Sequence, residues 1–329
     1  MADDAQRKRI GTSIEPLRVK PGSKVDLARD FDPRFKAGVK KKKEGVEMLA
    51  EGVRLLAEYQ AKLAAQDTWG VLVVLQALDA AGKDGAIRHV MSGVNPQGVA
   101  VHSFKVPSAE ELDHDFLWRY AQRLPARGEI GIFNRSHYEE VLVVRVHPEN
   151  LDRQKLPQEA NRGDVWKRRY REINDWERHL TDNGFRVVKL FLNLSKEEQR
   201  RRLLRRIDLP THNWKFSAAD VAERELWDDY QEAFSDALSH TSTEWAPWYV
   251  IPGDRKWYAR LAVAAVIVHA LMEIDPRFPE VSEEQRARLL EIKRQLEAAA
   301  PKGAAPDPFE AEQARKARAD AQPAAPAAG

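Results

Sequence analysis

The run WGVLVVLQA at residues 69–77 carries no charge and a single polar side chain, and it constrains the fold most tightly. It has strand length, it is rich in β-branched residues, and it ends in the turn pair Gly82-Lys83. An apolar run of this kind, without polar alternation, belongs to a strand buried on both faces, the usual setting of a parallel sheet. Residues 83–92 then read as a helix that starts where the strand stops.

The same alternation continues along the chain. Further strands are expected at 99–106, 129–133, 185–194 and 248–251. Helices are expected at 108–124, 164–183, 195–207, 217–238, 256–274 and 282–299. Ser108 with Glu111, and Ser195 with Glu198, have the spacing of capping boxes. Strands that alternate with helices predict an α/β three-layer sandwich, a parallel five-stranded sheet covered on both faces. Residues 1–34 read as an irregular N-terminal arm, 35–280 as the main domain, and 281–329 as a C-terminal helix with an Ala- and Pro-rich tail.

Composition narrows the class. The chain has 329 residues, enough to bury a large core without cross-links. It has no cysteine, which excludes a disulfide scaffold, a thiolate zinc site and a cysteine nucleophile. Lys plus Arg total 53 against 51 Asp plus Glu, a net charge of +2, too balanced for a general nucleic-acid binder. The first twenty residues lack an apolar core, so no secretory signal is expected. The most apolar stretch, 261–272, is shorter than the roughly 20 residues needed to span a bilayer. A cytoplasmic protein with no membrane partner is expected.

The turn after the first strand reads Ala77-Leu-Asp-Ala-Ala-Gly-Lys-Asp-Gly85. Gly82 and Lys83 match the phosphate-loop pattern G-x-x-x-x-G-K-[S/T], whereas Ala77 and Asp84 replace its first glycine and its hydroxyl. Its place between a buried strand and a helix makes the backbone of Ala80, Ala81, Gly82, Asp84 and Gly85 an anion site. Lys83 is expected on phosphate. Asp79 is expected to organise a metal, because magnesium prefers oxygen ligands. The third strand runs into Asn134-Arg-Ser-His-Tyr-Glu-Glu140. Strand ends of one sheet face one crevice, so this cluster should meet the phosphate loop. Arg135 can fork onto a phosphate, Asn134 offers a neutral oxygen, and Glu139 or Glu140 can supply a second carboxylate. His137 reads as a hydrogen-bonded structural histidine.

These runs, with MSGVNPQG at 91–98, SFKVPS at 103–108, FLWRYAQRLPARGEIGIFNRSHYEEVLVVRVHP at 116–148, RRIDLPTHNWKFSAAD at 205–220 and WYVIPGDRKWYARLAV at 248–263, resemble the polyphosphate kinase 2 family. The FNRSHYEE segment resembles most the class III branch, which accepts nucleoside mono- and diphosphates. Other branches carry Asp where this chain has Asn134. The resemblance implies a P-loop kinase fold of thymidylate-kinase type with a helical lid near 200–220. It implies phosphoryl transfer between inorganic polyphosphate and AMP, ADP or ATP, with guanine nucleotides as further substrates and no nucleic acid. Mg2+, or Mn2+ in its place, is the implied cofactor, held by Asp79 and Glu140. The expected catalytic set is Asp79, Lys83, Asn134, Arg135 and Glu140. Arg205, Arg206, Asp208 and Lys215 are the implied working positions of the lid. A homo-oligomer, dimer or tetramer, is implied as well. The four lysines at 40–43 and the lid arginines could line a channel for the polyanion. Two alternatives remain at this level: an ATP-dependent nucleoside monophosphate kinase, and a non-catalytic polyanion-binding protein.

Overall fold

The computed structural model describes residues 2–160 and 164–301, with Gly303 and Phe309. They form two units, 1–278 and 279–329. In chain order the first unit holds α1 (Ala2–Ile14), α2 (Leu27–Asp30), α3 (Lys42–Gln66), β1 (Gly70–Ala77), α4 (Lys83–Val90) and β2 (Val99–Ser103). Next come α5 (Ala109–Leu112), α6 (Trp118–Ala121), β3 (Ile130–Asn134), α7 (Val143–Val146), α8 (Glu149–Asp152) and α9 (Val165–Asp182). It ends with β4 (Phe185–Asn193), α10 (Lys196–Asp208), α11 (Ala218–Glu225), α12 (Trp227–Thr241), β5 (Trp248–Pro252) and α13 (Lys256–Ile274). The second unit contains α14 (Glu283–Ala298), which opens on a capping box between Ser282 and Gln285.

The sheet is five-stranded and parallel, in the order β2-β3-β1-β4-β5. Strand β1 is central, and its side chains alternate between two cores. Val71, Val73 and Leu75 join α3 and α13 on one face. Leu72 and Val74 join α9 and α12 on the other. Burial on both faces is why the strand shows no polar alternation. Helix α13 is long and apolar enough to cross a membrane by length and composition, but most of it is packed inside this unit.

Two expected helices are broken. The segment expected at 108–124 keeps its Ser108–Glu111 capping box, yet divides into α5 and α6, because the Asp115 carboxylate caps Leu117 and starts a new turn. The helix expected at 217–238 breaks at Leu226 into α11 and α12. The arm expected to be irregular over 1–34 is a correction: residues 2–14 form α1, and Leu17, Val19, Val25 and Leu27 are buried in the two cores. Its single Ile10–Ile14 pair gives too short an apolar stripe for periodicity to reveal. The tail from 301 onward lies almost entirely outside the described residues.

Candidate functional site

Strand register brings the two loops together. Leu75 of β1 pairs with Asn134, the last residue of β3, which also pairs with Ser103 of β2. The loop after β1 and the loop after β3 therefore open on the same side of the sheet. Both are wound tightly. Ala80 (φ +63°) and Gly82 (φ +103°) are left-handed, as is Arg135 (φ +65°). A left-handed residue with a Cβ costs on the order of 1 kcal/mol, so Ala80 and Arg135 are held there by their surroundings. Backbone curled this way converges successive N–H groups on an anion.

Lys83 opens α4, and its Nζ donates to the Ala77 carbonyl at 2.9 Å. Among the described residues it makes no ion pair. Burial, with Arg135 nearby, lowers its pKa, and Asp79, Glu139 and Asp84 offset part of that shift. Arg135 Nη2 donates to Asp79 Oδ1 at 3.0 Å, and Nη1 to Glu139 Oε2 at 3.3 Å. Asn134 Nδ2 donates to Asp84 Oδ1 at 2.9 Å, while Asn134 Oδ1 is buried without a partner. The structure thus gathers Asp79, Lys83, Asp84, Asn134 and Arg135 at one point.

Glu140 is placed differently from its neighbour. The 3-10 turn His137–Val141 turns Glu139 toward Arg135 and Glu140 into the core. There Glu140 Oε2 accepts from Arg169 Nη1 at 2.6 Å and from Gln154 Nε2 at 2.7 Å. Burial pushes its pKa up despite Arg169. Of the two carboxylates expected to hold a metal, only Asp79 faces the phosphate loop, and Glu139 is the second acid beside it.

The lid positions divide as well. Arg205, Asp208 and Lys215 are exposed, while Arg206 is half-buried and pairs with Asp220 at 2.7 Å. Arg200 and Arg201 both pair with Glu197 on their own helix. Arg202 does something sequence reasoning did not assign. Its buried guanidinium donates to the Ala81 carbonyl at 2.6 Å and the Gly253 carbonyl at 2.6 Å, and pairs with Glu198 at 2.8 Å. It clamps the phosphate loop to the loop after β5. The expected Ser195–Glu198 capping box is only half formed: Ser195 Oγ accepts from the Glu198 N–H, but the Ser195 N–H donates to Asp254.

Four cations stand near the start of α4 with no ion pair among the described residues: Arg88, Arg205, Lys256 and Arg260. A side chain at Gly85 would meet the Arg260 guanidinium at 3.9 Å. Burial and the neighbouring Arg202 and Arg205 lower the Lys256 pKa; burial and Arg88 lower that of Arg260. On the far side of Arg135 lies a cavity of about 120 Å³ walled by Phe104, Val106, Arg119 and Glu139. The Arg119 guanidinium lies 5.3 Å over the Phe104 ring. A smaller cavity, about 40 Å³, lies between Asp79, Arg135, Glu139, Asp220 and Glu223. Burial and Asp79 raise the Asp220 pKa. Asp220 and Glu223 come from α11, and no local pattern marks them as site residues.

Comparison with known proteins identifies the family. The family described as polyphosphate kinase 2 matches residues 39–279. An ADP-polyphosphate phosphotransferase of Rhodopseudomonas palustris is 50% identical over 284 residues, covering 85% of this chain and 97% of its own. An AMP/ADP-polyphosphate phosphotransferase of Meiothermus ruber is 48% identical over 271 residues, covering 81% and 96%. The crystal structure of polyphosphate kinase 2 from Arthrobacter aurescens TC1 superposes with a TM-score of 0.76 at 42% identity, covering 84% of this chain and 96% of that one. The chain belongs to the polyphosphate kinase 2 family.

Proposed function

We propose that this chain transfers the terminal phosphoryl group of inorganic polyphosphate to a nucleoside mono- or diphosphate. The observation that carries the reading is the charge around Lys83. Among the described residues its ammonium makes no ion pair, and four further cations without ion pairs stand near the start of the helix it opens. Arg88, Arg205, Lys256 and Arg260 repel one another, and a polyanion relieves that repulsion. A donor made only of phosphate needs such a track and no base pocket. A nucleoside acceptor needs walls, and Phe104, Val106 and Arg119 supply them across Arg135.

Phosphoryl transfer requires alignment and charge neutralisation more than covalent chemistry. Lys83 and the backbone of Ala80 to Gly85 hold the donor end. Arg135, fixed by Asp79 and Glu139, holds the acceptor phosphate and shares the charge that develops between the two. Arg205, Arg206, Asp208 and Lys215 close over the chain and exclude water. The residues fit a magnesium ion: Asp79 brings a carboxylate and Asn134 Oδ1 is a buried acceptor without a donor. Magnesium takes few protein ligands and completes its shell with water and phosphate, neutralising phosphate charge when bound. Guanine nucleotides as further acceptors, a homo-oligomeric assembly and a cytoplasmic setting are finer parts of the proposal that the family resemblance alone supports.

Formation of ADP from AMP with polyphosphate as the sole donor tests the reading. Product from ATP but none from polyphosphate would overturn it.

A further inference from the structure

Directly behind Arg135 the chain dives into the core, and Ser136, His137 and Tyr138 are fully buried. His137 and Tyr138 meet two charges sealed from solvent, Glu177 of α9 and Lys189 of β4. Lys189 Nζ donates to Glu177 Oε2 at 2.6 Å, to the Thr241 carbonyl at 2.6 Å and to the Tyr138 hydroxyl at 2.9 Å. Tyr138 in turn donates to Glu177 Oε1 at 2.8 Å. His137 Nε2 lies 3.2 Å from the same oxygen. Since Glu177 accepts there, Nε2 carries the proton. His137 Nδ1 has no partner, and burial lowers the pKa of the ring despite Glu177.

A buried ion pair is weak evidence for stability, because desolvation consumes most of the attraction and apolar residues of equal volume hold a core as well. Its presence here calls for another role. The pair fastens His137 and Tyr138, the second and third residues after the left-handed Arg135, and the 3-10 turn they begin carries Glu139 back to the Arg135 guanidinium. A second anchor, Gln76 Nε2 to Ser136 Oγ at 3.1 Å, ties the same turn to β1.

We infer that Glu177 and Lys189, acting through Tyr138 and His137, are positioning residues that set the Arg135–Glu139 turn for phosphoryl transfer. This rests on the assignment of Arg135 to the acceptor phosphate. Neither charge touches substrate. Loosening the anchor lets the turn relax from its left-handed geometry and swing the guanidinium off the transfer line, and small misplacements of a charge clamp cost rate steeply. The donor track, built on other elements, is untouched.

The test is the double variant Glu177→Leu/Lys189→Met, which removes both charges and leaves neither unpaired. We expect its melting temperature to stay within a few degrees of the wild type. Its kcat should fall at least tenfold, with KM for polyphosphate unchanged. A folded double variant with kcat within twofold of wild type overturns the inference. If that variant does not fold, Tyr138→Phe decides: kcat below half at an unchanged melting temperature upholds it, and full kcat overturns it. Arg135→Ala separates the two readings. Full activity there would defeat the assignment of Arg135 itself, whatever the anchor does.

Discussion

Two lysines lie on either side of the Arg135–Glu139 turn, Lys83 half-buried and Lys189 fully buried, and their surroundings differ. Lys189 is enclosed by Glu177, Tyr138 and the Thr241 carbonyl, with every donor engaged. Lys83 donates to one backbone carbonyl and faces its nearby carboxylates without pairing with any of them. The first is a charge neutralised within the protein; the second is a charge left for a ligand to neutralise. A cation withdrawn from water without its counterion is costly, and the phosphate proposed to bind at Lys83 would supply that counterion.

The contrast breaks most clearly if the two lysines are replaced by methionine in turn. Lys83→Met is expected to lower kcat more than a hundredfold. The sign for stability runs the other way. The folded-state pKa of Lys83 lies below its unfolded value, so carrying the charge costs stability at any pH below that folded value. Removing the charge should leave the melting temperature at neutral pH unchanged or slightly higher, and calorimetry checks it. Lys189→Met should do the opposite to stability, because Glu177 is then buried and unpaired. A loss of about 3–5 kcal/mol, on the order of 10 °C in melting temperature, is expected. If both variants lost stability equally, the distinction would fail.

Arg202→Lys probes the clamp between the phosphate loop and the loop after β5. Lysine keeps the charge but not the fork that reaches Ala81 and Gly253 together. A drop in kcat of about tenfold is expected, with the phosphate loop more open to hydrogen exchange. The smallest effect belongs to the lysines at 40–43. Gly45, two residues past this run, lies against Trp257 in the first turn of α13, where any side chain would collide. Replacing all four with glutamine should raise KM for long polyphosphate several-fold, leave kcat unchanged and flatten the salt dependence. Tripolyphosphate should show little change.

Much of this was legible in the sequence where it is local. The strand at 69–77, its turn and the FNRSHYEE segment carry their own signals, and parallel pairing then brings their ends together. Long-range partners were not legible. The lysine inside FRVVKLFLNL was visible, but Glu177 reaches it from another element. Glu140 looked as suitable as Glu139, because the choice between adjacent carboxylates is made by a 3-10 turn that has no pattern of its own. Arg202 stood among five lid arginines and was distinguished only by three-dimensional packing. The helix over 2–14 was missed for want of a stripe long enough to read.

The central claim is that an unpaired Lys83 beside a track of cations serves a donor made only of phosphate. The direct measurement is the rate of ATP formation from ADP with polyphosphate as the sole donor, wild type beside Lys83→Met. The account predicts sustained turnover by the wild type and more than a hundredfold loss in the variant at an unchanged melting temperature. A folded Lys83→Met that turns over at the wild-type rate would contradict it.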